Sequence, residues 1–187
     1  ANAILVMENY TQPHDQLRFG YRPDEKTAIH KPGSLGFGLG ASIGAKIGAP
    51  DRQVILSVGD GALMYSAAGF WTMARYHVPV LAVISNNHNY QVVRNAFHRE
   101  NGRMAETGHY HGLYLGDPDI DFVKLAESQG VAGERVTAAG DIAGALRKGI
   151  QETRNGNPYV VEIVVSRVGP GAESTWHQEY SVAAQRA

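Results

Sequence analysis

The stretch QVILSVGDGAL at residues 53–63 decides the fold, together with VLAVISNN at residues 80–87. Each begins as a short apolar run rich in β-branched residues, which is typical of a buried strand, and each ends in a polar turn. Residues 62–85 separate the two turns, and a helix followed by a strand fills such an interval. The turns are therefore predicted to lie side by side at one edge of a parallel sheet.

The same alternation of strands and helices extends along the chain. It predicts the α/β class, specifically a three-layer domain with a mainly parallel sheet and helices on both faces. We expect residues 1–168 to form this domain, residues 169–187 to be a tail, and residues 99–118 to be an irregular loop. The predicted strands cover residues 3–7, 27–30, 53–58, 80–85 and 159–165, and the predicted helices cover residues 34–47, 62–76, 90–98, 121–129 and 141–153.

Composition and charge exclude several classes of function. Lys and Arg total 17 against 18 Asp and Glu, so the formal net charge is -1 and nothing predicts binding to nucleic acid. The sequence contains 0 Cys, which excludes disulfides and fits a cytoplasmic protein. The first apolar run, residues 3–7, is too short for a membrane span and lacks the features of a secretory signal, so we expect no membrane association.

The two polar turns carry oxygen atoms suited to a metal ion. Asp60 offers a carboxylate, Asn87 an amide oxygen and Asn89 a backbone carbonyl, which together suit Mg²⁺ with phosphate and water completing its shell. The glycines beside Asp60 allow backbone N–H groups to approach a phosphate, and the helix predicted to start near Ala62 directs its positive end toward it. These residues predict a site for a metal-bound diphosphate.

The GDG turn followed at this interval by NN resembles the diphosphate-binding domain of thiamin-diphosphate enzymes. The segment GDGALMYSAAGFWTMARYHVPVLAVISNNHNY, residues 59–90, is most similar to benzoylformate decarboxylase and its relatives acetohydroxyacid synthase, benzaldehyde lyase and pyruvate decarboxylase. The likeness extends from Leu5 to Val165 and implies two cofactors, thiamin diphosphate and Mg²⁺. The positions that it implies are metal ligands at Asp60, Asn87 and the carbonyl of Asn89, with Gly61, Ala62 and Tyr90 near the diphosphate.

A second block, Pro32 to Gly36, is similar to the family's loop that receives the aminopyrimidine ring. The resemblance implies that Gly33, Ser34 and Leu35 bind the cofactor there, with the Gly33 carbonyl accepting from the amino group. Leu35 would be the apolar side chain that holds the cofactor bent. The same resemblance places Thr11 and Gln12 in a loop that contacts the diphosphate.

The chain departs from the family pattern after Tyr90. Relatives often have Gly where Gln91 stands here, and pyruvate decarboxylases have a catalytic Glu where this chain has Val93. The second difference argues against their proton relay. It implies an apolar wall for the substrate, formed by Val93 and Phe97.

The resemblance also implies that an essential group is supplied from elsewhere. Family members activate the cofactor with a glutamate of a separate pyrimidine-binding domain, which these 187 residues do not provide. We therefore expect one subunit of a split enzyme, in a hetero-oligomer, or the C-terminal part of a longer one. The implied activity is that of a 2-oxo acid decarboxylase or an acyloin carboligase or lyase, acting on a small 2-oxo acid or aldehyde only with that partner.

Other interpretations stay open at this point. The oxidative branch of the family, 2-oxo acid dehydrogenases and oxidoreductases, is one, and a regulatory subunit that binds the cofactor without turnover is another. A nucleotide-binding Rossmann module is a third, because residues 36–41 read GFGLGA and Asp60 follows at about the spacing of a ribose-binding acid. Glycines four residues apart, Gly36 to Gly48, form a ridge that fits either a subunit interface or packing on the chain's own sheet.

Overall fold

The computed structural model describes residues 2–9, 28–30 and 34–166 of the chain. Its strands are β1 (Ala3–Glu8), β2 (Ala28–His30), β3 (Gln53–Gly59), β4 (Val80–Asn86), β5 (Ala132–Val136) and β6 (Tyr159–Val164). Its helices are α1 (Gly38–Gly48), α2 (Asp60–Leu63), α3 (Gly69–Arg75), α4 (Gln91–Arg99), α5 (Arg103–Thr107), α6 (Phe122–Glu127) and α7 (Ile142–Arg154).

The strands form one 6-stranded sheet in the order β2-β1-β3-β4-β6-β5, and every neighbouring pair is parallel. The predicted α/β class with a mainly parallel sheet is therefore confirmed. The apolar runs that suggested strands occupy the middle of the sheet, since β3 and β4 have neighbours on both sides. Strands covered on both faces need apolar side chains at consecutive positions, which is what these runs supply.

Helices cover both faces of the sheet, as predicted. Leu56 of β3 faces α1, because a Cβ added at Gly38 would lie 2.9 Å from its Cδ1. Leu81 of β4 faces α7, because a Cβ added at Gly149 would lie 2.5 Å from its Cδ1. Leu81 is paired with Ile55, the strand neighbour of Leu56, and successive side chains of a strand point to opposite faces. The sheet is therefore the middle of three layers.

Several element boundaries differ from the predicted ones. The helix predicted over residues 34–47 begins only at Gly38, since the chain first makes a turn in which Gly36 has φ +85°. The helix predicted over residues 62–76 is divided into α2 and α3. The structure adds α5 within the predicted loop, and it adds the strand β5, which lies at one edge of the sheet.

The chain divides into two compact units. In the described residues, the first unit comprises the whole sheet with α1, α2, α3, α6 and α7, and the second comprises Asn87–Ile120 with α4 and α5. Across the described ranges, no helix has the length and apolar character needed to cross a bilayer.

Candidate functional site

The edge where the strands end carries the first predicted turn. Gly59 of β3 is paired with Ser85 of β4, so Asp60 and Asn86 each follow one residue beyond the same paired position. Asp60 is the first residue of α2 and is only 3% exposed. The backbone of Gly59 is extended there, and this glycine has no side chain to cap α2. The first unit thus holds a buried carboxylate at the start of a helix, at the ligand-binding edge of a parallel sheet.

Asn9, which sequence reasoning missed, packs beside this turn. Its Nδ2 donates to the Ser57 hydroxyl at 2.8 Å, and its Oδ1 would lie 3.5 Å from a Cβ added at Gly59. Asn9 directly follows β1 and is buried, and its hydrogen bond links this end of β1 to β3. The end of β3 is therefore held from its neighbouring strand.

A second buried carboxylate, that of Glu8, lies at the start of α1. Its Oε1 accepts from the backbone N–H groups of Gly36 and of Phe37, the latter at 3.1 Å, and its Oε2 accepts from the N–H of Gly38 at 2.6 Å. Burial raises the pKa of Glu8 above its ordinary value, while these backbone donors oppose the rise. Glu8 thus caps a helix that begins 30 positions later in the chain.

This contact bears on the Rossmann interpretation. A GxGxxA motif binds a diphosphate through the backbone N–H groups at the start of its helix. In this chain those N–H groups, at residues 36–38, already donate to Glu8. A diphosphate placed there would also meet the negative charge of that carboxylate. The structure therefore argues against nucleotide binding at α1.

Leu35 precedes this capped turn with its side chain 44% exposed. The next residue, Gly36, has φ +85°, and a Cβ added to it would lie 2.5 Å from the Cβ of Tyr65. Only glycine fits this conformation in this space. Ser34 is half-buried beside Leu35, whereas the predicted cofactor residues Thr11, Gln12 and Gly33 lie outside the described residues.

In the second unit, the Asn87 turn is closed by its own side chain. The Oδ1 of Asn87 accepts from the N–H of Asn89 at 3.0 Å, which makes a local Asx turn, and His88 between them has φ 54°. The side chain of Asn89 is buried and donates from Nδ2 to Oε1 of Gln91 at 2.6 Å. The side-chain amide of Asn89 is thus tied to the first residue of α4.

A loop further along the chain holds this turn. The N–H of Tyr90 donates to the Leu113 carbonyl at 2.9 Å, and the N–H of Leu115 donates to the His88 carbonyl at 2.7 Å. The ring Nδ1 of His88 also lies 2.9 Å from Oδ1 of Asp119. Part of the region predicted as an irregular loop therefore positions the backbone of the predicted metal turn.

The predicted substrate residues lie on α4. Val93 and Phe97 are four residues apart, so they share a helix face, and their side chains are 40% and 44% exposed. Gln91, at the position where relatives often have Gly, is buried and donates to Oδ1 of Asn95 at 2.9 Å. The departure from the family pattern thus adds a polar contact at the first turn of α4.

Asn86, the first residue of the Asn pair, contacts a third buried carboxylate. Its Nδ2 donates to Oε1 of Glu162 at 2.6 Å, and Nε of Arg135 lies 3.3 Å from the same oxygen. Glu162 is fully buried in β6, so this contact joins the end of β4 to its neighbour. The signal for both missed carboxylates, Glu8 and Glu162, is a single charged residue within an apolar strand sequence.

The chain is similar in sequence to several known proteins. The family model described as "Thiamine pyrophosphate enzyme, C-terminal TPP binding domain" matches residues 16–163. The putative acetolactate synthase large subunit of Mycobacterium tuberculosis is 37% identical over 135 residues, which cover 71% of this chain and 25% of that protein. Benzoylformate decarboxylase of Pseudomonas aeruginosa is 31% identical over 138 residues, which cover 74% of this chain and 24% of that protein.

A solved structure gives the same result. The thiamine diphosphate-dependent 4-hydroxybenzoylformate decarboxylase of Rhodococcus jostii superposes with a TM-score of 0.73 and 34% sequence identity over 88% of this chain and 29% of that one. The 187 residues therefore span about a quarter of the length of the curated relatives that they match.

Proposed function

We propose that this chain, which belongs to the thiamine pyrophosphate enzymes as their C-terminal TPP binding domain, binds thiamin diphosphate with Mg²⁺ in a 2-oxo acid decarboxylase or acyloin carboligase or lyase. The observation that carries the proposal is the buried Asp60 at the start of α2, beyond the paired ends of β3 and β4. The names of the relatives, acetolactate synthase and benzoylformate decarboxylase, support the reaction class.

The chain contributes the metal ligands in this proposal. Asp60 gives a carboxylate oxygen, Asn87 an amide oxygen and Asn89 a backbone carbonyl. These are hard oxygen donors, which fit Mg²⁺ together with phosphate and water oxygens. Gly61 and Ala62 lie along the diphosphate, because the start of a helix directs backbone N–H groups to an anion. Tyr90, which precedes α4, also lies near the diphosphate. Thr11 and Gln12 complete the contacts to the diphosphate.

A second group of residues receives the organic part of the cofactor. Gly33, Ser34 and Leu35 line the pyrimidine side, and the exposed Leu35 side chain supports the bent cofactor. Val93 and Phe97 form an apolar wall for the substrate, which their exposure on α4 supports. When bound, thiamin diphosphate would supply a nucleophilic carbon for the substrate carbonyl, and Val93 and Phe97 would help to exclude water there.

The activating glutamate comes from a pyrimidine-binding domain, either in the partner chain of a hetero-oligomer or in a longer chain of which these residues are a part. Two observations support such a partner domain. The matching relatives are about four times as long as the segment that they share with this chain. In addition, a Cβ added at Gly40, Gly44 or Gly48 would meet none of the described atoms within 4 Å, so this ridge of α1 does not serve packing on the described sheet.

Isothermal titration calorimetry of the 187-residue chain tests the cofactor proposal. We expect thiamin diphosphate to bind when Mg²⁺ is present and to lose its affinity when EDTA removes the metal, while NAD gives no heat. Binding of NAD, or no binding of thiamin diphosphate with Mg²⁺, would contradict the proposal.

Release of CO₂ from a 2-oxo acid after adding a pyrimidine-binding partner chain tests the catalytic part. We expect turnover with both chains present and none with either alone. Turnover that depends on an added electron acceptor would indicate the oxidative branch, and cofactor binding without turnover would indicate a regulatory subunit.

A further inference from the structure

The start of α1 is held by a contact that the proposed cofactor site does not itself require. Both oxygens of Glu8 are engaged by three successive backbone N–H groups, those of Gly36, Phe37 and Gly38. Glu8 is only 1% exposed, although a buried carboxylate has a high desolvation cost unless it is well hydrogen-bonded. The contact joins β1 to the turn that carries Leu35.

We propose that Glu8 is a positioning residue that fixes the Leu35 turn for the organic part of the cofactor and leaves the diphosphate to the Asp60 turn. This inference rests on the proposed function, since it assigns a task within that site. Glu8 is not proposed to touch the cofactor. It acts through the backbone that it holds.

Packing leaves the turn little freedom to move. A Cβ added at Gly38 would lie 2.5 Å from Oε2 of Glu8, so the carboxylate occupies the space that a side chain would need. On the other side of the turn, a Cβ added at Gly36 would lie 2.5 Å from the Cβ of Tyr65. The backbone after Leu35 is thus enclosed between two elements. A side chain that must meet a ligand at one angle needs such a fixed backbone.

Electrostatics disfavour a diphosphate at the start of α1 more than at the start of α2. Backbone N–H groups at a helix start attract anions, and at α1 the anion is Glu8 itself. At α2 the preceding residue, Gly59, has no side chain to act as a cap, and the buried carboxylate of Asp60 is the proposed metal ligand. A diphosphate at the start of α1 would meet the negative charge of Glu8 and N–H groups that already donate to it, whereas at the Asp60 turn the metal ion of the proposed site would offset the charge of the carboxylate. Glu8 should consequently influence binding of the organic part and leave binding of the diphosphate unchanged.

Calorimetry with two ligands tests this division on the full chain. Thiamin diphosphate and inorganic pyrophosphate, each with Mg²⁺, are titrated into the native protein and into the variants Glu8→Gln, Leu35→Ala and the double variant. Glu127→Gln, an exposed glutamate on α6, is the matched control. We expect Glu8→Gln and Leu35→Ala each to weaken thiamin diphosphate about 10-fold, with pyrophosphate changed less than about 2-fold. The double variant should be no weaker than the weaker single variant, because both changes act through one contact.

The outcomes separate the inference from the proposed function. If the native chain binds neither ligand, the proposed function fails. If it binds pyrophosphate but not thiamin diphosphate, or if Glu8→Gln weakens both ligands equally, the inference fails. Additive losses in the double variant would also overturn it, because Glu8 would then act independently of Leu35.

Hydrogen exchange on the native chain keeps the inference testable if Glu8→Gln does not fold. Thiamin diphosphate should slow amide exchange at residues 36–38 more than pyrophosphate does, since only the former reaches the Leu35 turn. Equal protection by the two ligands would overturn the inference.

Discussion

Two helices, α1 and α2, begin at the same edge of the sheet, yet their first turns differ. The N–H groups at the start of α1 donate to Glu8, a carboxylate supplied by β1. The start of α2 carries its own buried carboxylate, Asp60, and the residue before it is Gly59, which has no side chain to act as a cap. The positive end of a helix is therefore not a ligand site by itself. At the start of α1 the carboxylate of Glu8 already accepts from the N–H groups that a bound anion would need.

The largest effect is expected at Asp60, the first residue of α2. Asp60→Ala removes the proposed carboxylate ligand, and we expect Mg²⁺-dependent binding of thiamin diphosphate to weaken by at least about 100-fold, as measured by calorimetry. Asp51→Ala, at an exposed position in the turn before β3, should leave the affinity unchanged. An Asp60→Ala variant with nearly native affinity would show that this helix start is not the metal site.

Substitutions in α1 test the other half of the comparison, the helix start that Glu8 caps. Gly38→Ala forces a methyl group against Oε2 of Glu8 and Cδ1 of Leu56, so we expect a loss of about 1–3 kcal/mol in the free energy of unfolding. Gly40→Ala is the matched control, because its methyl group meets no described atom within 4 Å and should stabilise the helix by about 0.5–1 kcal/mol. Urea denaturation measures both. Equal effects would mean that Glu8 does not constrain the start of α1.

A third helix start shows what a carboxylate cap contributes at the surface. The Asp121 side chain accepts from the N–H of Lys124 at 2.9 Å at the start of α6. Asp121→Ala should cost about 1 kcal/mol in urea denaturation. Asp141→Ala is the control, since Asp141 stands at the same position before α7 without a side-chain cap and should change stability by less than about 0.5 kcal/mol. Equal losses would assign the effect to charge alone.

The smallest expected effect is in the pH dependence of stability, which distinguishes the buried cap of Glu8 from the cap of Asp121 at the surface. The backbone N–H of Lys124 lowers the pKa of Asp121 below 3.8, so its contribution is present at neutral pH and is lost as the pH falls below that value. Burial raises the pKa of Glu8 above 4.5, so the proton-linked part of its contribution to stability is present at low pH and is lost as the pH rises through the raised value. On acidification the penalty of Asp121→Ala should shrink while that of Glu8→Gln grows, in urea titrations between about pH 7 and 3. If the two penalties changed in the same direction, the pKa of Glu8 would not be raised while that of Asp121 is lowered.

The central strands and the polar turns were predictable because their signals are local. The sequences VILSV and VLAVIS are apolar and β-branched, and each runs directly into its polar turn. The helix over residues 62–76 was predicted as continuous, but it is interrupted before Gly69. A Cβ at Gly69 would lie 2.7 Å from Cδ2 of Leu39, so α3 begins at a residue that packs closely on α1. Strand β5, AGERV, has little apolar character because it forms an edge of the sheet.

The buried carboxylates could not be assigned from the sequence, because their partners are remote along the chain. Glu8 accepts from N–H groups that lie between 28 and 30 positions later in the chain. Glu162 accepts from Asn86, which lies 76 positions earlier. No spacing rule connects such positions, since only the completed sheet brings them together. The GDG and NN turns needed no such information. The roles proposed for the cofactor-binding residues stay predictions that measurements of ligand binding will test.

The open glycine ridge of α1 also provides a chemical handle. The sequence contains 0 Cys, and a side chain added at Gly44 meets no described atom within 4 Å. A Gly44→Cys variant would therefore carry the molecule's single thiol on the face proposed for the partner. A fluorophore or crosslinker attached there would report, through its emission or its covalent product, when another chain covers the helix and which residues of that chain lie nearest.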